Sequence, residues 1–363
     1  MGKVLSRPSI EAKADNGCNL HFAAKYGKIE LVKALIQKGA DVKEKDFFGN
    51  TPLHLAANDK HVQGIQFLFG KGEIVKYLLT MSADVDAQND RGNTPLHLSA
   101  YSGGSYRAQL LIDSGANVNV QNMDGKTPLH FFIKYGREST ARLLIEKGAD
   151  IHLKNNNGHT ALHFSAYFGH ADITERLIQK GSAVNAKDIL DRTPLHISAH
   201  FNHFSIAVLL IQNGADVDMK DKDGNTSLHL ASKKNHTDIA ILLIKSKAAV
   251  NMKNNEGYTP LHLAAKNEAI DTVLCLIKCG ADITVTDSTG LTFSDHIKNP
   301  ENRNKVLKTI VLNYAQKDND DENYSQWLPH DLIKNTCKLF RSVKEQPTIA
   351  TQPDLKDPLE FSW

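Results

Sequence analysis

Short apolar runs and amphipathic segments alternate along most of the chain. The run LHLAA at 53–57 predicts a narrow inner helix, because its small residues let neighbouring helices approach closely. The segment 173–178 has apolar residues at helical spacing and predicts a second, outer helix. Gly181 follows it and tolerates the left-handed conformation at a helix C-terminus. The pattern therefore predicts pairs of helices, each with an apolar face to bury.

One tetrapeptide sets the period of these helix pairs. Thr-Pro-Leu-His begins at Thr51, Thr94, Thr127, Thr193 and Thr259, with weaker copies at Thr160 and Thr226. From Thr94 to Thr259 the copies follow one another every 33 residues. Threonine is a favoured helix N-cap and proline is favoured at the first helical position. Since no single pair buries its apolar face alone, stacked pairs share one continuous core.

The period, the tetrapeptide and the Gly-Ala-Asp that closes four of the units resemble the ankyrin-repeat family. The resemblance covers 16–289, with a partial terminal unit to about 315. It implies an all-α solenoid of about nine helix-loop-helix units with hairpin loops, followed by a short C-terminal helical segment. The predicted domains are an N-terminal extension at 1–15, the array at 16–315, an acidic linker at 316–326 and a box-like segment at 327–363.

Two positions depart from the repeat. The interval from Thr51 to Thr94 is 43 residues, ten too long, and predicts a lengthened or doubled outer helix from an insertion within 58–72. At Asp191 the usual hairpin glycine is absent, and aspartate is among the few residues that tolerate a positive φ.

The histidines of the tetrapeptide invite a catalytic or metal-binding interpretation, which their spacing does not favour. One occurs per repeat, whereas a metal needs several ligands at one point. We predict that each imidazole bridges backbone groups of adjacent turns. Phosphate-loop, nucleophile-elbow and zinc-helix motifs do not occur. The sequence predicts neither an enzyme, nor a cofactor, nor a metal site.

Composition narrows the function classes further. Hydrophobic residues make up 41% and charged residues 23%, which indicates a folded chain. The net charge of +2 disfavours a nucleic-acid binder that relies on a basic face. Four cysteines give no disulfide framework, so we expect a cytoplasmic protein, in a host cell if the source is a pathogen.

A protein partner is expected on the concave face of the solenoid, where hairpin tips and inner-helix ends lie. The positions four and five residues after the motif histidine are aromatic in the middle repeats and basic in the late ones. The predicted partner-binding residues are Tyr101, Tyr135, Tyr167, Phe168 and Phe201, with Phe47 and Phe48 at a hairpin tip. The alternative is that these rings only pack against the neighbouring repeat.

The C-terminal segment resembles two boxes that recruit ubiquitin ligases. Its opening is similar to an F-box, in particular the truncated form at the end of poxviral and some bacterial ankyrin proteins, and its helix is similar to a SOCS box. The resemblance implies an F-box-binding or elongin-C-like adaptor, bound by Leu328, Pro329, Leu332, Ile333, Cys337 and Phe340. The alternative is a helix that caps the array.

The first six residues, MGKVLS, fit the N-myristoylation pattern at Gly2. One acyl chain gives only marginal membrane association, on the order of 10⁴ M⁻¹. The sequence is consistent with three functions: the substrate-recognition subunit of a cullin-RING ubiquitin ligase, a plain scaffold or inhibitor, and a membrane-tethered effector.

Overall fold

The computed structural model describes residues 19–58, 65–102 and 105–317. These residues form successive helix pairs: α1 (Leu20–Lys25) with α2 (Ile29–Gln37), α3 (Pro52–Ala57) with α4 (Ile65–Thr80), α5 (Pro95–Ser99) with α6 (Ser105–Asp113), α7 (Pro128–Lys134) with α8 (Glu138–Glu146), α9 (Ala161–Phe168) with α10 (Ala171–Gln179), α11 (Pro194–Phe201) with α12 (Phe204–Gln212), α13 (Ser227–Lys233) with α14 (Thr237–Lys245), and α15 (Pro260–Lys266) with α16 (Ile270–Lys278). A 3₁₀ turn, Phe293–His296, and α17 (Pro300–Lys317) form the last unit.

The predicted all-α solenoid of about nine units is confirmed in this part of the chain. Its only β-type pairing within the described residues is an isolated bridge between Thr286 and Thr292. The odd-numbered helices up to α15 are the inner helices, and those from α3 onwards begin with the tetrapeptide or one of its weaker copies, while the even-numbered ones are the outer helices. None of the helices within the described ranges is long and apolar enough to cross a membrane.

The chain divides into two compact units. The first comprises the described residues up to 231 together with 238–249, and the second comprises 232–237 and 250–317. In the first, Leu162 and Ala166 of α9 are fully buried with Ile173 and Leu177 of α10. The second buries α15 and α16 residues, together with Ile310 of α17. Each unit thus has the apolar interior that the sequence periodicity predicts.

Helix α4 differs from the other outer helices. It has 16 residues, whereas α2, α6, α8, α10, α12, α14 and α16 each have nine. A Cβ on Gly70 would lie 2.6 Å from the Gly27 carbonyl oxygen, so glycine permits this close contact with the first repeat. The neighbouring Lys71 is buried, and its Nζ donates to the carbonyl oxygens of Leu55 and Asn58 at the end of α3.

Several predicted residues lie outside the described part of the chain. Helix α17 ends at Lys317, two residues beyond the predicted end of the array. Gly2 lies before the described residues, and the predicted adaptor-binding residues Leu328, Pro329, Leu332, Ile333, Cys337 and Phe340 lie after them.

Candidate protein-binding surface

The N-terminal ends of the inner helices are closed by the threonine and histidine of the tetrapeptide. In α9, the Thr160 N–H and hydroxyl donate to His163 Nδ1 at 3.2 and 2.9 Å. His163 Nε2–H donates to the Arg192 carbonyl oxygen of the next hairpin at 3.1 Å. The same arrangement recurs at His97, which reaches the Lys126 carbonyl at 3.0 Å. The predicted bridging role of these histidines is therefore confirmed.

These histidines are held in the neutral form. Removal from water disfavours the imidazolium ion, and protonation of Nδ1 would break the hydrogen bonds that this nitrogen accepts from the threonine. Burial lowers the pKa to about 4 in four of them, His54, His97, His130 and His163. No group of three or more His, Cys, Asp or Glu side chains within the described ranges converges as a metal site would require.

The C-terminal ends of the middle inner helices present a cluster of rings. We call Tyr101, Tyr135, Tyr167, Phe168 and Phe201 the aromatic patch. Two contacts join rings of successive repeats: Tyr101 lies 4.7 Å from Tyr135, and Tyr167 lies 4.5 Å from Phe201, between ring centroids. Within one repeat, Tyr167 and Phe168 are 4.8 Å apart. These rings thus contact neighbouring repeats and still reach solvent, and their contact with a partner stays a prediction.

Two buried rings support the aromatic patch. Phe131 lies 6.3 Å from Tyr135 and 5.9 Å from Tyr101, and Phe164 lies 6.1 Å from Phe168. Both are nearly buried, and their edges also meet motif histidines of the preceding repeats. The patch therefore rests on the core and is not a set of isolated surface rings.

Backbone carbonyls at the patch accept hydrogen bonds from the following repeat. Arg137 Nη2 donates to the Tyr101 carbonyl at 3.4 Å, and His203 Nε2 donates to the Tyr167 carbonyl at 3.2 Å. Gly169 ends α9 with φ 82°, and a Cβ there would lie 2.7 Å from the His203 ring. Glycine thus allows both the left-handed turn and the close approach of His203, which fixes the backbone of Tyr167.

The exposed fractions separate the members of the patch. Tyr167 is 48% exposed and Phe201 41%, whereas Tyr101, Tyr135 and Phe168 are half-buried. Because an aromatic anchor needs both accessible area and a fixed rotamer, Tyr167 and Phe201 have the properties of interface anchors.

The hairpin-tip pair is a separate feature. Phe47 and Phe48 are 80% and 67% exposed, and their rings meet edge to face at 5.4 Å. The Phe48 carbonyl accepts the Asp90 N–H of the next hairpin at 3.1 Å, so the backbone is fixed although the rings project into solvent. The pair lies on a hairpin, whereas the aromatic patch lies at the C-terminal ends of inner helices.

Comparison with known proteins agrees with this architecture. The family model described as ankyrin repeats matches overlapping segments at 5–73, 20–120, 69–155, 148–221 and 195–287. These segments together span well over half of the chain. The chain belongs to the ankyrin-repeat family. Ankyrin-repeat proteins are generally non-catalytic and bind other proteins.

Curated relatives match this ankyrin-repeat protein over short stretches. The human transient receptor potential cation channel subfamily A member 1 is 44% identical over 16% of this chain and 6% of its own length. Mouse rabankyrin-5 is 40% identical over 16% of this chain and 5% of its own. Human protein phosphatase 1 regulatory subunit 27 is 41% identical over 14% of this chain and 32% of its own. The chain thus covers less than a third of each of these relatives.

Sequence reasoning missed the residues that position the patch. Arg137 and His203 both lie seven residues after a motif histidine, and each donates to the preceding repeat. The buried supports Phe131 and Phe164 lie four residues before Tyr135 and Phe168, a spacing that places side chains on one helix face. Comparison of these equivalent positions across the repeats, together with the aromatic positions, identifies all four residues.

Proposed function

We propose that this ankyrin-repeat protein binds a protein partner through the aromatic patch and does no chemistry on it. The observation that supports this function is the pairing of partly exposed rings across successive repeats. Rings that pack on buried rings and on rings of neighbouring repeats lose little conformational entropy on binding, which favours them as anchors.

The experiment is capture of a partner with the full chain and with two patch variants. Tyr167→Ala and Phe201→Ala each remove an exposed ring and should weaken binding about thirtyfold, the usual effect of losing one hot-spot anchor. Phe204→Ala is the matched control, because Phe204 is 44% exposed but lies on the outer helix α12. Unchanged affinity in both patch variants would contradict this placement of the site.

The proposed fate of the bound protein is ubiquitination, with the chain as the substrate-recognition subunit of a cullin-RING ligase. The support is the resemblance of Leu328-Pro329 and the apolar residues that follow to ligase-recruiting boxes. A few apolar anchors at helical spacing supply most of the energy when a helix binds a groove. Truncation at about residue 323 should then leave partner binding intact and lose the adaptor.

The test of the ligase link also separates it from the two alternatives. If Ile333→Asp destabilises the array and wild type recovers no F-box-binding or elongin-C-like subunit, the segment is a cap and the chain is a plain scaffold or inhibitor. For a membrane-tethered effector, Gly2→Ala should abolish fatty-acid labelling and the membrane fraction. Absence of label in wild type beside an active transferase would exclude this tether.

A further inference from the structure

One row of equivalent positions across the aromatic patch contains a cation between two tyrosines. The position four residues after the motif histidine is Tyr101 in the third repeat, Lys134 in the fourth and Tyr167 in the fifth. Tyr101 contacts Tyr135, and Tyr167 contacts Phe201, so each tyrosine of the row has a second ring beside it.

Lys134 is placed to receive an anion from outside the chain. Its side chain is exposed, and Nζ lies 5.3 Å from the centroid of the Tyr135 ring. Within the described residues its Nζ has no carboxylate partner. Glu138, at the start of the following helix α8, is paired with His170 at 3.3 Å. An arriving carboxylate would therefore meet an ammonium group whose charge no described acid neutralises.

The spacing of the repeats fixes the spacing of the ligand. Neighbouring packed helices lie about 8–10 Å apart, and an extended chain advances about 3.3 Å per residue. A peptide that crosses the repeats in an extended conformation thus advances one repeat about every three residues. Tyr101 and Tyr167 each lie one repeat from Lys134, so apolar side chains that pack on these two rings would lie about three residues from a carboxylate at Lys134.

We propose that the aromatic patch recognises an extended peptide segment with the pattern apolar-x-x-acidic-x-x-apolar. The central Asp or Glu carboxylate pairs with Lys134, while the flanking apolar side chains pack on Tyr101 and Tyr167, each of which has a second ring beside it. This specificity rests on the proposed function, because it names the chemistry of the partner bound at the same surface.

The test is selection from a phage-displayed library of random peptides with the full chain, followed by affinity measurement on the selected peptides. Wild type should select the pattern with an acid at its centre. Lys134→Glu should weaken those peptides at least about tenfold and select a central Lys or Arg instead, because like charges repel. Lys180→Glu, an equal charge change at the exposed end of α10, should leave the selection unchanged.

The other outcomes distinguish this inference from the proposed function. Peptides that lose binding in Tyr167→Ala but show no preference at the central position would overturn the acidic pattern and leave the patch as the binding site. Failure to select any peptide that depends on Tyr167 or Phe201 would also overturn the pattern. The partner-capture experiment with the patch variants then decides the proposed function by itself.

Discussion

The side chains at the two ends of helix α9 have opposite roles, one in the stability of the array and one at its exposed surface. At its N-terminal end His163 is buried, neutral and hydrogen-bonded on both ring nitrogens. At its C-terminal end, four residues later, the Tyr167 ring is 48% exposed and contacts the rings of Phe168 and Phe201. Helix position alone separates a residue that holds the array together from one that is available to a partner.

This division explains why the tetrapeptide recurs while the helix ends vary. The Thr–His end must satisfy backbone donors and acceptors of two repeats, and few residue types have that geometry. The other end has its carbonyls satisfied from the following repeat, by Arg137 or His203. The side chains at the fourth and fifth positions after the histidine are therefore not needed to satisfy these backbone groups, and their residue types can vary.

The largest expected effect is acid destabilisation through the histidine ends. Four motif histidines have a folded pKa of about 4, below the ordinary 6.5, so the unfolded chain binds more protons between these values. The contribution of these neutral histidines to the free energy of unfolding is complete above about pH 6.5 and is lost as the pH falls toward 4. Each contributes up to about 3 kcal/mol.

Chemical denaturation at a series of pH values measures this loss. The free energy of unfolding should fall steadily from pH 7 to 4, and His163→Asn should reduce the proton uptake on unfolding. His152→Ala, which removes an exposed histidine outside the tetrapeptide, is the matched control for the loss of one histidine. A flat profile above pH 4.5 would show that the motif histidines do not govern acid stability.

The next effect compares the two ends of α9 directly. His163→Ala leaves the Thr160 N–H without its acceptor, leaves the Arg192 carbonyl with the Asp188 N–H as its remaining donor, and opens a cavity, so it should cost about 3 kcal/mol of stability. Tyr167→Ala should cost less than about 1 kcal/mol, since the ring is half exposed. Thermal unfolding and partner affinity, measured on both variants, should show opposite orders of severity. Equal loss of stability would mean that Tyr167 is part of the core.

The sequence predicts the N-terminal end far better than the C-terminal one. Thr160 and His163 interact within one turn, so their spacing in the chain fixes their geometry. Asp191 likewise has the positive φ that its hairpin position predicts, 57°. The contacts of Tyr101 with Tyr135 cross between repeats and depend on how the units stack, which the local pattern does not specify.

The ten-residue insertion before Thr94 shows the same limit of prediction from the local sequence pattern. Lys71 caps the end of α3, yet the ten extra residues displace it from the position that Arg137 and His203 occupy in their repeats. Alignment on the tetrapeptide alone therefore does not reveal its role. The contact becomes visible only when the 16-residue helix α4 is placed beside the first repeats.

A smaller effect on stability is expected at the turn after α9, where a structural contact of the backbone lies beside the exposed Tyr167 ring. Gly169→Ala imposes a left-handed conformation on alanine, at about 1 kcal/mol, and drives its Cβ into the His203 ring. Gly148→Ala has a similar φ of 85° with no atom within 4 Å of the added Cβ, and isolates the backbone cost. The stability difference between the variants should be about 1 kcal/mol. Partner affinity should fall only in Gly169→Ala, and equal behaviour would dissociate His203 from the patch.

The smallest effect is a stabilisation away from both ends of the inner helices. Lys247 follows the outer helix α14 with φ 68°, at a position where glycine stands in six other repeats: Gly39, Gly115, Gly148, Gly181, Gly214 and Gly280. Lys247→Gly relieves the left-handed strain, and the gain outweighs the added freedom of the unfolded chain, so stability should rise by up to about 1 kcal/mol. The control Lys245→Gly, within α14, should instead lose about 0.5–1 kcal/mol because glycine is a poor helix former. A rise in the urea midpoint for Lys247→Gly, with unchanged partner affinity, would show that this turn affects stability and not binding. A loss of stability equal to that of the control would show that Lys247 is not strained.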